Sequence, residues 1–100
     1  MGILLEKGTV MKLKEYIFHT DPGHGWIAVK RKELADLGVL DKVSSYSYQK
    51  GQTVYLEEDC DAALFFNAYR AKHNTDPKYR ESHLERTPIR YYDGFRPWQS

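Results

Sequence analysis

A single cysteine, Cys60, excludes an internal disulfide and a thiolate metal cluster, so nothing covalent staples this chain of 100 residues. Apolar runs are short as well. None approaches the roughly 18 residues that a membrane-spanning helix requires, which excludes a membrane partner of that kind. Neither sign of charge dominates: 15 Lys and Arg face 14 Asp and Glu, for a net charge of +1. The balance holds along the chain, with ten basic against eleven acidic residues over 1–77 and five against three over 78–100. A dedicated nucleic-acid binder needs a one-sided positive field, so nucleic acid is not an expected partner. The N-terminus lacks the basic segment, apolar stretch and cleavage site of a secretory signal. Glu6 stands where a myristoylation signal places Ser or Thr. These absences together lead us to expect a reducing, cytoplasmic setting.

What is present is enough for one core. The chain is 41% apolar and 14% aromatic, too rich in both for whole-chain disorder and too short for two independent domains. Residues 1–10 are either a disordered stretch or a leading strand, and Met11 is a second potential start. The alternating run MKLKEYIFH (11–19) reads as a strand with Met11, Leu13 and Ile17 on one side and Tyr16 and Phe18 on the other. TDPGHG (20–25) reads as a turn, and WIAVKR (26–31) as a returning strand. A short helix over 32–37 ends at Gly38. VSSYSYQK (43–50) and QTVYLE (52–57) form two further strands about Lys50-Gly51. Asp59 reads as the N-cap of a long helix over 59–73, with Ala62, Phe65, Phe66 and Tyr69 at helical spacing. Residues 78–86 and 88–92 supply further strand-like pieces. The expected fold is a single α+β domain: an antiparallel sheet of about five strands, with the 59–73 helix packed on one face.

Two blocks, DPGHGWIAVKRKEL and SSYSYQKGQTVYLEEDCDAALF, resemble a group of small proteins encoded by bacteriophages and related mobile elements. The similarity covers roughly residues 17–73 and follows the pattern DPGHGW, SYSYQ, VYLEEDCDA. No activity is attached to that group. The resemblance implies a setting, the bacterial host cytoplasm, and a mode of action, binding to a host enzyme, a defence complex or a signalling molecule.

Four constellations could carry chemistry. His19, Asp21 and His24 fall within six positions of one turn, a residue set that suits a divalent metal. The alternative is an Asx turn closed by Asp21 with surface histidines. Gly23, His24 and Gly25 could leave backbone N–H groups free as an anion-binding nest beside the flat face of Trp26, the alternative being a hairpin turn whose Trp26 is simply core. With Tyr46, Tyr48 and Tyr55 these residues make a candidate pocket for a nucleotide-like ligand, against an alternative in which Ser45, Ser47 and Gln49 form a solvated sheet face. The acids Glu57, Glu58, Asp59 and Asp61 could hold a hard cation or simply complement a helix N-terminus, and they oppose a thiolate at Cys60. Finally, Arg90, Tyr91, Tyr92, Phe95, Arg96 and Trp98 have the composition of a protein interface, which makes 87–100 a candidate interaction tail.

The sequence therefore favours a non-enzymatic protein that binds a host or defence protein, or a second copy of itself. Binding of a small, nucleotide-like molecule comes next, and a metal-dependent hydrolase built on His19, Asp21 and His24 third. No cofactor is called for.

Overall fold

The structure, a computed structural model, describes residues 14–98. Met11, Leu13 and the leading segment 1–10 lie outside the described residues. Over the described residues the protein is a mixed α+β fold with a six-stranded sheet and two helices. Strands β1 (Glu15–Asp21) and β2 (His24–Lys30) form a hairpin whose turn is only Pro22-Gly23, tighter than the expected 20–25. Helix α1 (Arg31–Asp36) follows at once, then a 3-10 turn at Leu40–Lys42. Strands β3 (Tyr48–Lys50) and β4 (Thr53–Glu57) pair about Gly51, whose φ of +59° is one that L side chains rarely adopt. Next come helix α2 (Ala62–His73), strand β5 (Lys78–His83), a 3-10 turn at Pro88–Tyr91 and the two-residue strand β6 (Asp93–Gly94).

The strand order is β5-β1-β2-β4-β3-β6. Four of the five pairings are antiparallel, but β1 and β5 run parallel, with Glu15 opposite Lys78 and Thr20 opposite His83. This corrects the expected all-antiparallel sheet of five strands. A parallel neighbour cannot be reached by a hairpin, and the intervening α2 makes the connection.

Alternation sorts the side chains between two faces. Tyr16 of β1, Ile27 and Val29 of β2, and Val54 and Leu56 of β4 point inward, where they meet Leu34, Ala62, Phe65 and Tyr69 from the helices. The rings of Phe65 and Tyr69 stand edge-on to Tyr16 at centroid distances of 5.1 and 6.1 Å, and Phe66 meets Tyr79 of β5 at 5.8 Å. Gly25 belongs to this inner face. A Cβ there would lie 2.5 Å from Phe18 Cε1, so the glycine is a packing requirement.

Two element boundaries differ from expectation for one shared reason, the bonds made around Asp61. Helix α2 begins at Ala62, and its N-cap is Asp61, not Asp59. The chain first turns on itself, with Cys60 N and Asp61 N both donating to Glu57 O. The Asp61 carboxylate then accepts from Ser44 N, Ser44 Oγ and Ser47 Oγ instead of capping the helix. Those same bonds hold residues 44–47 in a turn, so the expected strand 43–50 shrinks to Tyr48–Lys50. Ser47 and Gln49 are accordingly buried, which overturns the solvated Ser/Gln face at those two positions, while Ser45 is exposed.

The C-terminal segment is part of the fold. Strands β5 and β6 occupy opposite edges of the sheet, so residues 84–92 must cross its full width. Five strand spacings amount to roughly 24 Å, which an extended segment of this length can span. The strap crosses the outer face: Arg90 reaches Asp21 of β1, and Tyr92 packs on Tyr55 of β4 at 5.2 Å. Its far end is fastened by the buried Arg31, which donates to Arg96 O (2.9 Å), Pro97 O (2.6 Å) and Gln49 Oε1 (3.2 Å) and lies over the Phe95 ring. Phe95, 2% exposed, joins the main core, and Ile89 is buried outside it.

Deleting residues 87–100 should therefore abolish folding, not free a tail. The truncation removes two buried apolar side chains, each worth roughly 2–5 kcal/mol, from a domain whose total stability is about 5–15 kcal/mol. Thermal denaturation followed by circular dichroism should show no cooperative transition, and a sharp transition in the truncated chain would refute this account of the strap.

Candidate functional site

The register of the first hairpin decides which candidate residues meet. Asp21 pairs with His24 and His19 with Trp26, so all four project from the outer face. Glu57 lies opposite Trp26 on the neighbouring β4. Onto this platform the 44–47 turn and β3 bring Tyr46 and Tyr48, and the strap brings Arg90. The result is an open cleft of about 300 Å³. His24, Trp26, Tyr46 and Tyr48 form its aromatic walls, and Glu57, Asp59, Cys60 and Arg90 supply its polar groups. The volume sits at the lower end of the range for small-molecule sites.

Behind the cleft, Asp21 is the centre of a dense set of bonds. Its side chain is 1% exposed. Arg90 Nε and Nη2 donate to its two oxygens at 2.7 and 2.9 Å, a bidentate pair. Gly23 N and His24 N donate to Oδ1 at 3.1 and 3.0 Å, and the Thr87 hydroxyl approaches Oδ2 at 3.4 Å. The Arg90 bonds, with the backbone donors behind them, hold the Asp21 carboxyl well below the usual carboxylate range.

This arrangement corrects two expectations. The N–H groups of Gly23 and His24 are taken by Asp21, so the turn is not an anion-binding nest. His19, Asp21 and His24 share a face without forming a metal set, because every oxygen of Asp21 is engaged by donors. Among the described residues no group of three or more His, Cys, Asp and Glu is placed to hold an ion.

His24 has a defined tautomer. Arg90 Nη2 lies 2.7 Å from His24 Nδ1, and since a guanidinium only donates, Nδ1 accepts and the ring proton resides on Nε2. The imidazole is nearly parallel to the Trp26 indole, with centroids 5.8 Å apart and an interplanar angle of 14°. Tyr48 meets the indole edge-on at 6.3 Å. Trp26 is 1% exposed, and its Nε1 is a buried donor with no hydrogen-bond partner. Cys60 is exposed at the cleft, and its thiol is pushed up by desolvation and by Glu57, Asp61 and Asp59, which opposes nucleophilic chemistry.

Comparison with known proteins adds no family. No protein-family model, curated protein or solved structure matches this chain.

Of the seven ligand candidates, His24, Trp26, Tyr46 and Tyr48 converge on the cleft. Gly23 lies behind it in the Asp21 turn, and Gly25 faces the core. Tyr55 lies further along the outer face, 5.8 Å from the His19 ring, where it lines a second depression with Ile17 and Ala28. Burial raises the Tyr55 phenol and lowers the His19 imidazole relative to their ordinary values. The interface candidates divide too. Phe95 is core, Arg90 is engaged by Asp21, Tyr92 packs on Tyr55, and the Arg96 backbone is held by Gln49 and Arg31. Tyr91 and Trp98 remain exposed. Arg90, Glu57, Asp59 and Cys60 were not assigned to the pocket from sequence, because nothing local brings together groups from four separate segments.

A carboxyl held below its unfolded value contributes stability that is complete above the unfolded pKa and is lost as pH falls towards the folded one. Asp21→Asn should therefore lower the thermal midpoint at neutral pH, with the gap to the unsubstituted protein narrowing as pH drops below about 4. Melting curves recorded down to about pH 2 test this. A gap that stays constant across that range would show that Asp21 acts without its charge.

Proposed function

We propose that the chain is a non-enzymatic binding protein whose outer-face cleft takes a small organic ligand with an aromatic or compact apolar surface. The observation that carries this reading is the convergence of His24, Trp26, Tyr46, Tyr48 and Arg90, from three separate segments, on one cavity. A pocket with aromatic walls and few polar groups is the usual form of a small-ligand site. The phosphate half of a nucleotide-like ligand has lost its seat, since the turn amides bind Asp21 and two carboxylates flank the cleft. Catalysis has little support: the thiol is held protonated, and the expected metal set is not assembled. The resemblance of residues 17–73 to small bacteriophage-encoded proteins also favours binding.

A second reading, docking to a host or defence protein or to another copy, rests on three exposed aromatics. Tyr46, Tyr91 and Trp98 are 71%, 77% and 79% exposed, more than isolated surface residues of this type need be. No helix among the described residues is long and apolar enough to cross a membrane.

Replacing Trp98 by Phe leaves Trp26 as the sole indole and makes its emission a reporter of the cleft. Titration with a library of neutral, cationic and anionic fragments should give saturable changes, weakened about tenfold by Tyr48→Ala through lost ring contact. A folded protein whose Trp26 responds to no fragment would sink the cleft reading. The docking reading predicts something different: Tyr91→Ala with Trp98→Ala should abolish self-association or partner capture, measured by sedimentation and pull-down, without changing the melting temperature. Association that survives both substitutions would count against it.

A further inference from the structure

The cleft's electrostatics point to the class of ligand, an inference that rests on the small-ligand reading above. Four charged side chains matter. Arg90 is the cationic residue lining the cavity, and its charge is committed to Asp21 through the bidentate pair behind the wall. Glu57 and Asp59 line the same cavity, and no described cation pairs with either. Glu57 Oε1 accepts the Asp59 amide at 2.8 Å, which fixes the carboxylate in place without neutralising it. The field left in the cleft is therefore that of two carboxylates. Lining the same cleft are the exposed ring of Tyr46 and the half-buried ring of Tyr48, whose π faces are electron-rich and attract cations, while the Trp26 ring is buried behind its stack with His24. Carboxylates beside aromatic faces disfavour an anion and leave a neutral ligand without charge complementarity. An organic cation satisfies both sets of groups.

We propose that the cleft binds a small organic cation, an alkylated ammonium, with its charge between the rings of Tyr46 and Tyr48 and the carboxylates of Glu57 and Asp59.

The test uses the full chain carrying Trp98→Phe. Choline and tetramethylammonium are the cationic probes, the uncharged tert-butyl isostere of choline is the shape control, and inorganic phosphate is the anion. Trp26 emission is the first readout. Protection of Cys60, the chain's single cysteine and a cleft residue, against a neutral alkylating reagent is the second. Choline should change the emission and shield Cys60, while its isostere and phosphate should do neither. Asp59→Asn and Glu57→Gln should each weaken choline binding by about tenfold, and Asp59→Asn leaves the Glu57 turn bond available should Glu57→Gln disturb the fold. Equal binding of choline and its isostere would overturn the cation assignment and leave the cleft reading standing. So would silence towards both cations while neutral fragments still perturb Trp26. Silence towards every probe and fragment overturns both.

Discussion

One carboxylate, Asp21, sits where three parts of the molecule must agree. It ends β1, it closes the Pro22-Gly23 turn by accepting two backbone amides, and it receives the guanidinium of Arg90 from a segment 69 positions away. A carboxylate removed from water is costly unless donors replace the lost hydration, and here each oxygen is supplied with them. The turn, the strap and the back wall of the cleft are thus held by one group. Without Arg90 the strap would lose its anchor on the outer face, and the turn would keep a buried charge facing empty space. The same pair offsets the charge of Arg90, the Lys or Arg residue among the described residues of the cleft wall, so the anchor of the fold also bears on the field at the candidate site.

Local signals in the sequence were good guides to local structure. Alternation identified the β1–β2 hairpin and the β3–β4 pair, and helical spacing identified α2 through Phe65 and Tyr69. Strand β2 starts two residues earlier than alternation indicated, which moves His24 out of the expected turn and onto one face with Trp26. The failures came from interactions that spacing does not encode. Asp61 is a plausible helix acid by position, yet its carboxylate is captured by Ser44 and Ser47 from another loop, which moves the helix start and shortens a strand together. Gly23 and Gly25 look alike in sequence but answer different demands. One N–H completes the Asp21 turn, and the other glycine gives way to the Phe18 ring.

Composition was a weaker guide than placement at the C-terminus. Arginines interleaved with aromatics suit an interface, a strap or a core equally well. Only the sheet order, with β5 and β6 at opposite edges, requires the segment to be a crossing. That topology turns Phe95 inward, commits Arg90 to Asp21 and leaves Tyr91 and Trp98 outside, so one run of residues is divided among three roles. The candidate cleft is a product of the same crossing, since the strap supplies its back wall.

The parallel pairing of β1 with β5 has a consequence for how the chain is made. The partners are more than sixty positions apart, so during synthesis β1 emerges long before the strand that will cover its free edge. Until β5 arrives, the nascent sheet offers the backbone groups of β1 to any extended segment nearby, the situation in which edge-to-edge aggregation begins. Closure of so distant a contact is also slow, because the entropy of the intervening loop is lost before the pairing rewards it. The charged side chains of β5, Lys78, Arg80 and Glu81 among them, then leave the finished edge poorly suited to recruiting another strand. The vulnerable interval of this protein falls in its biosynthesis, before β5 pairs with β1 and covers that edge.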